Sequence, residues 1–190
     1  MTYYTVKGLV KNGLPILFVT CFMAIFVGLL LGYQEDILIE YPTLLILMPV
    51  LLKIGGDTGS MLASRLSSAF HLGLSSRIRR NPVVRNSVVA AIIVAVVSTT
   101  FVSLIVYVIN IYLGYGTSLS LILSVSAIVV FFDILIVYTT TVGLSFLSHK
   151  IGMDPDDTVI PVVASLGDLV GVVGIMFSII LFGLYVLNIF

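Results

Sequence analysis

Charged residues are scarce in this sequence. Only 9% of its 190 residues are Asp, Glu, Lys or Arg, while 59% are hydrophobic. Soluble domains carry about 25% charged residues, because water must solvate their surfaces. The composition therefore excludes a soluble enzyme and a disordered tail. Basic and acidic residues number nine each, so no net charge points to a nucleic-acid partner.

Tryptophan is absent, and cysteine is scarce as well. The single cysteine, Cys21, cannot form an internal disulfide, and it lies in an apolar run where a small buried hydrophobe is the ordinary role. Ser67 and His71 stand four residues apart at the end of the second apolar segment, but no carboxylate stands at helical spacing from a histidine within any of the five segments. We therefore predict no enzyme, no catalytic residue and no organic cofactor.

What the chain does have is five long apolar segments. Each is long enough for a helix that crosses a bilayer, which takes about 20 residues, and none alternates as a membrane strand does. The sequence predicts an all-α membrane protein with five transmembrane helices, all in one domain over residues 1–190 with no soluble regulatory domain. The segments are Gly13–Tyr33, Pro42–Leu72, Val84–Tyr112, Thr117–Leu147 and Thr158–Phe190.

The positive charges predict the orientation. The loop from Ser75 to Arg85 carries four arginines, and such loops stay on the cytoplasmic side. This places the N-terminus inside and the C-terminus outside. The expected location is the cell membrane, with the lipid bilayer as a partner.

Acidic residues inside apolar segments are the candidate functional residues. An Asp at the centre of a membrane helix costs about 2.5–3.5 kcal/mol on insertion scales, so its presence needs a reason. Asp168 is the lone charge of the fifth segment, where it either binds an ion or is a hydrogen-bonded packing residue. Asp133 is a weaker candidate, which either lines a pathway or pairs with Lys53 or Arg65. We interpret Lys53 and Arg65 as structural.

Asp57 stands in a glycine-rich stretch, Gly55-Gly56-Asp57-Thr58-Gly59-Ser60. Glycine is a poor helix former, so we predict that the second helix is broken here and binds an ion through freed carbonyls. The alternative is a helix-packing surface with Asp57 as a cap. Asp57 and Asp168 each directly follow a glycine, with a proline about two turns upstream.

These candidates indicate a hard divalent cation. Oxygen ligands favour Mg²⁺, Ca²⁺ or Mn²⁺ over zinc or copper. Few carboxylates per chain suit Mg²⁺ best, because it keeps several waters and takes one or two carboxylates. Five helices are few for a pathway within one chain, so we predict a homodimer with a twofold axis.

Two stretches carry a family resemblance. Pro49–Ser60 (PVLLKIGGDTGS), followed by Ala63-Ser64-Arg65-Leu66, resembles the second-helix signature of MgtE-type magnesium channels and of the related eukaryotic solute-carrier magnesium transporters. Asp154-Pro155-Asp156-Asp157, then Pro161 and Ala164–Leu169 (ASLGDL), resembles their last helix and its approach.

The resemblance implies a dimeric membrane domain with a divalent-cation pathway selective chiefly for Mg²⁺. It implies that Asp168 is the central ion ligand, that the Ala164 carbonyl lines the site, and that Gly55-Gly56-Asp57 faces the pathway. The chain departs from the bacterial pattern, with Asp57 in place of Asn, Met61 in place of Gln, and no cytoplasmic regulatory domains. It is similar to one unfused half of the solute-carrier relatives.

Several alternatives stay open at this point. One alternative is a protein that exchanges the divalent cation for Na⁺ or H⁺. Another is a non-transporting membrane subunit that assembles a larger complex. The carboxylates of Asp154, Asp156 and Asp157 either cap the fifth helix or concentrate cations at the inner mouth.

Overall fold

The computed structural model describes residues 5–33, 35–73 and 81–182. They form seven α-helices and one π-helical segment, Asp133–Tyr138, which joins α5 to α6. The α-helices are α1 Val6–Tyr33, α2 Glu35–Glu40, α3 Pro42–His71, α4 Pro82–Leu113, α5 Leu119–Phe132, α6 Thr139–Ile151 and α7 Pro155–Leu181.

The prediction of an all-helical protein with five membrane-spanning helices is confirmed. Five helices are long and apolar enough to cross a bilayer: α1, α3, α4, the continuous α5–α6 unit and α7. Residues 74–80, with most of the arginine-rich loop, and residues 183–190, at the end of the predicted fifth segment, lie outside the described residues. The inside–outside orientation therefore stays a prediction.

Helix boundaries follow local signals in the sequence. A proline stands in the first turn of α3, α4 and α7, where its missing N–H costs nothing. Asn81 caps α4 by accepting a hydrogen bond from the Val83 N–H at 2.9 Å. Gly114 ends the same helix in the left-handed conformation, with φ of 73°.

The helices α3 and α7 form the centre of the molecule. In each, 44% of the most apolar stretch is buried within the chain, against 6% for α1. The helix α1 packs on α7 at the periphery, and α4 and α5 complete the surroundings of α3 and α7. The apolar side chains of α1 that face outward suit contact with lipid.

Two apolar cores lie at successive levels along the bundle. One contains Leu44, Leu47, Leu51, Val125 and Ile179, and the other contains Leu62, Leu66, Phe70, Val137 and Val163. The stretch of α3 between Leu51 and Leu62 carries the glycine-rich motif and Asp57. The polar and glycine residues therefore occupy the level where the two cores meet.

The prediction that the second helix is broken at its glycines is wrong. The helix α3 runs without interruption from Pro42 to His71. Its glycines allow α7 to pack closely against it, and the helix does not unwind there. A Cβ atom at Gly56 would lie 2.9 Å from the Ala164 carbonyl oxygen, and one at Gly59 would lie 2.6 Å from Val163 Cγ1. Packing against α7 offsets the low helix propensity of glycine.

The irregular backbone lies in the fourth span instead. The π-helical segment Asp133–Tyr138 (DILIVY) contains neither glycine nor proline, so composition gives no signal for it. Segments of π-helix occur frequently at functional sites. This one begins at an acidic residue that faces the centre of the bundle.

Candidate cation site

The closest approach between α3 and α7 lies at two pairs of small residues. Gly55 and Gly56 of α3 face Ala164 and Gly167 of α7. A Cβ atom at Gly167 would lie 2.5 Å from Gly56 Cα and 2.8 Å from the Gly55 carbonyl carbon, so the two backbones touch with no side chain between them. Small residues allow membrane helices to approach in this way. We call this contact the α3–α7 crossing.

Asp57 and Asp168 come directly after the two glycines of the crossing, Gly56 and Gly167. This position places both carboxylates at the level of the crossing. The side chain of Asp57 is 55% exposed, and Asp168 is half-buried. Asp168 lies within electrostatic range of Asp57. The structure thus brings together, from two helices, the two acidic residues that sequence reasoning favoured.

Lys53 belongs to the same group of charges. Its Nζ lies 2.7 Å from Asp57 Oδ1, one helical turn earlier on α3, and its side chain is 74% exposed. It also lies within electrostatic range of Asp168. The interpretation of Lys53 as structural stays a prediction. The sequence did hold a signal for this contact, because Lys and Asp four residues apart on a helix face each other.

A groove between α3 and α4 gives access to Lys53 and Asp57. Its volume is about 400 Å³. The residues that line it are Pro49, Val50, Lys53, Ile54, Asp57, Thr58, Met61, Val94 and Ser98. The groove is otherwise mostly apolar, so the ion pair is its main polar feature.

Asp133 lies on the side of Gly55 that faces away from Asp57, and it is 1% exposed. A Cβ atom at Gly55 would lie 2.6 Å and 2.7 Å from its two carboxylate oxygens. Its Oδ1 has no hydrogen-bond partner among the residues that the structure describes. Asp133 pairs with neither Lys53 nor Arg65, since the ion pairs of the described chain join Lys53 to Asp57 and His71 to Asp154. The pairing proposed for Asp133 from the sequence is therefore wrong.

A buried hydrogen-bond network fixes α3 next to the crossing. The Tyr138 hydroxyl, at the end of the π-helical segment, donates to Thr58 Oγ1 at 2.8 Å and approaches the Ala91 carbonyl of α4 at 3.3 Å. Thr58 Oγ1 in turn donates to the Ile54 carbonyl at 2.7 Å. The side chain next to Asp57 is therefore tied to both α4 and the fourth span.

The acidic cluster lies at the start of α7, where Asp154 is the cap and Asp156 and Asp157 belong to the first turn. Asp154 Oδ1 accepts a hydrogen bond from the Asp156 N–H at 3.0 Å, and it lies 3.4 Å from Ser67 Oγ and 3.5 Å from His71 Nε2. Asp154 thus joins the start of α7 to the end of α3. Asp156 and Asp157 are exposed, and their role in concentrating cations stays a prediction.

The donor set of the crossing suits a partly hydrated cation. Within residues 5–33, 35–73 and 81–182, no three His, Cys, Asp or Glu side chains lie close enough together to enclose a metal ion. Two carboxylates are what Mg²⁺ takes when it retains its waters. Backbone carbonyls such as that of Ala164 lie at the same level.

Comparison with known proteins places the chain in a family. Residues 48–181 match the MgtE family, described as "Divalent cation transporter", a description that names no enzyme. The chain is 30% identical over 143 residues to solute carrier family 41 member 2 of Gallus gallus. That match covers 71% of this chain and 24% of the relative, so the chain spans about a quarter of the relative's length. No solved structure matches the chain. The resemblance seen in the two sequence stretches is thereby confirmed: the chain belongs to the MgtE family of divalent cation transporters.

Proposed function

We propose that this protein moves Mg²⁺ across the membrane and that Asp168 and Asp57 are its carboxylate ligands. The observation that carries the proposal is the convergence of these two residues at the α3–α7 crossing. Membership of a divalent-cation transporter family supports it. Acidic side chains at this depth are costly unless they bind ions or partners.

The ion is bound mainly through its water shell. Asp57 and Asp168 accept hydrogen bonds from the waters of Mg²⁺ or replace one or two of them. The backbones of Gly55, Gly56 and Ala164 form the wall behind these carboxylates. A membrane potential supplies about 2.3 kcal/mol per charge per 100 mV, which is enough to drive entry without nucleotide hydrolysis.

The exposed face of α3 that carries Lys53 and Asp57 supports a homodimer in the cell membrane. Lys53 and Asp57 are exposed in the single chain, although they belong to a helix that crosses the bilayer. Charged side chains at that depth face protein or a water-filled cavity. A second copy related by a twofold axis would cover the face and contribute a second Asp57 and Asp168 to one pathway.

The test is Mg²⁺ flux into proteoliposomes that hold the purified protein. We expect saturable uptake by the wild type and its loss in Asp168→Asn. The matched control is Asp36→Asn, which removes an exposed carboxylate from α2, away from the crossing. Uptake that requires an opposing Na⁺ or H⁺ gradient would instead identify an exchanger.

Two results would overturn the proposal. One is the absence of Mg²⁺, Ca²⁺ and Mn²⁺ flux from protein shown to be folded, in either orientation. That result would favour a membrane subunit that assembles a larger complex. The other is an Asp168→Asn variant that transports Mg²⁺ as the wild type does.

A further inference from the structure

We infer that Lys53 is a tethered counter-ion of the cation site: its ammonium group holds Asp57 when no divalent cation is bound and leaves when one enters. This inference rests on the proposed function and adds to it a residue that sets affinity and turnover. Lys53 contacts Asp57 rather than the ion, so its role is to position and to compete.

The geometry gives Lys53 direct access to the ligand. Its Nζ lies 2.7 Å from Asp57 Oδ1, which is full hydrogen-bonding contact between charged groups. The ammonium group sits on a flexible four-carbon stem, and the side chain is 74% exposed in the groove beside α4. Within the single chain, the described residues leave most of the Lys53 side chain exposed, so the ammonium group can swing away from the carboxylate into the water-filled pathway that the proposed dimer encloses.

The charges of the site change when the ammonium group leaves. With Lys53 paired, Lys53, Asp57 and Asp168 together carry a formal charge of about −1 at neutral pH; without the ammonium, the two carboxylates carry about −2. Two negative charges match one divalent cation. Because Mg²⁺ and an ammonium group on one carboxylate would repel each other at close range, binding of the ion and departure of Lys53 are coupled.

This coupling keeps the ion from being held too tightly. A pathway conducts only when its sites bind the ion strongly enough to admit it and weakly enough to release it. The returning ammonium replaces the ion on Asp57 and so favours its release. Removal of Lys53 therefore strengthens binding and slows release.

The experiment compares Lys53→Met with Lys53→Arg in proteoliposomes and measures the half-saturation concentration and the maximal rate of Mg²⁺ uptake separately. We expect Lys53→Met to lower both by about tenfold, because a like charge next to the ion has been removed. Lys53→Arg keeps the charge and is expected to stay near the wild type. The control is Lys150→Met, the same substitution at an exposed lysine at the end of α6.

Equilibrium binding provides a readout that does not depend on transport. Calorimetric titration of the detergent-solubilised variants with Mg²⁺ is expected to show about tenfold tighter binding by Lys53→Met than by the wild type. Should Lys53→Met fail to fold, Lys53→Gln serves as the neutral variant, and thermal unfolding identifies the folded preparations.

The outcomes separate the two proposals. Lys53→Met with wild-type or weaker Mg²⁺ binding overturns the inference about Lys53, while the loss of uptake in Asp168→Asn still supports the cation pathway. Absence of uptake by the folded wild type overturns the proposed function. In that case the calorimetric comparison alone decides the inference about Lys53.

Discussion

Acidic residues on the two sides of the α3–α7 crossing differ sharply in their exposure. On one side, Asp57 is 55% exposed, forms an ion pair with Lys53 and lies within electrostatic range of Asp168. On the other side, Asp133 is 1% exposed and has its carboxylate pressed against Gly55. All three belong to membrane-spanning helices. The exposure of an acidic residue here therefore depends on the side of the crossing on which it lies.

The backbone differs between the two sides as well. The open side is carried by regular helix, in which glycines provide contact between backbones without loss of helical hydrogen bonds. The closed side is carried by the π-helical segment, whose first and last residues, Asp133 and Tyr138, both face the interior. The comparison predicts that steric change at the crossing affects both sides, whereas polar changes on the closed side have small effects.

The largest effect is expected from Gly167→Ala. The new Cβ atom would lie 2.5 Å from Gly56 Cα, so α7 must move away from α3. Overpacking of this kind costs about 3 kcal/mol, and the displacement would separate Asp168 from Asp57. Thermal unfolding and Mg²⁺ uptake of the purified variant measure the two consequences, and we expect both stability and uptake to fall.

Gly143→Ala is the matched control for this substitution. Gly143 lies within α6, and a Cβ atom there would meet nothing within 4 Å, so alanine is expected to be tolerated. Equal behaviour of the two variants in unfolding and uptake would contradict the close contact at the crossing.

A smaller effect is expected from Tyr138→Phe on the closed side. The change removes the hydrogen bond of 2.8 Å to Thr58 Oγ1, while Thr58 still donates to the Ile54 carbonyl. Loss of one such bond costs about 1 kcal/mol, and Mg²⁺ uptake should be retained because Asp57 and Asp168 are untouched. Thermal unfolding measures the cost. Tyr112→Phe, at a side chain that is 88% exposed, is the control and should change nothing.

The sequence was sufficient to predict five long apolar helices and to single out Asp57 and Asp168 as candidate residues. Five long apolar segments predict five helices because each must satisfy its backbone hydrogen bonds within lipid. Asp57 and Asp168 stood out because charges are rare in such segments. The spacing of Lys53 from Asp57 was a usable signal for their ion pair.

The remaining features depend on contacts between distant parts of the chain. A glycine that unwinds a helix and a glycine that packs against a neighbouring helix have the same low helix propensity. The sequence therefore left both interpretations of Gly55 and Gly56 open, and the contact with α7 favours packing. The π-helical segment lacks glycine and proline and gives no local signal. The burial of Asp133 depends on Gly55 of another helix, which no pattern within the fourth segment contains.

The smallest effect is expected from Asp133→Asn, and this variant gives the sharpest test of the two-sided comparison. Asparagine keeps the shape of the side chain, removes its ability to ionise and replaces one carboxylate oxygen with an amide group that donates hydrogen bonds. Because loss of the buried ionisable group offsets the cost of burying the amide, we expect stability to change by less than about 1 kcal/mol. Because the Asp133 carboxylate lies behind Gly55, the half-saturation concentration for Mg²⁺ uptake should equal that of the wild type. The same substitution at Asp168 should abolish uptake. A loss of uptake in Asp133→Asn as complete as in Asp168→Asn would contradict the comparison and return Asp133 to the set of ion ligands that the sequence suggested.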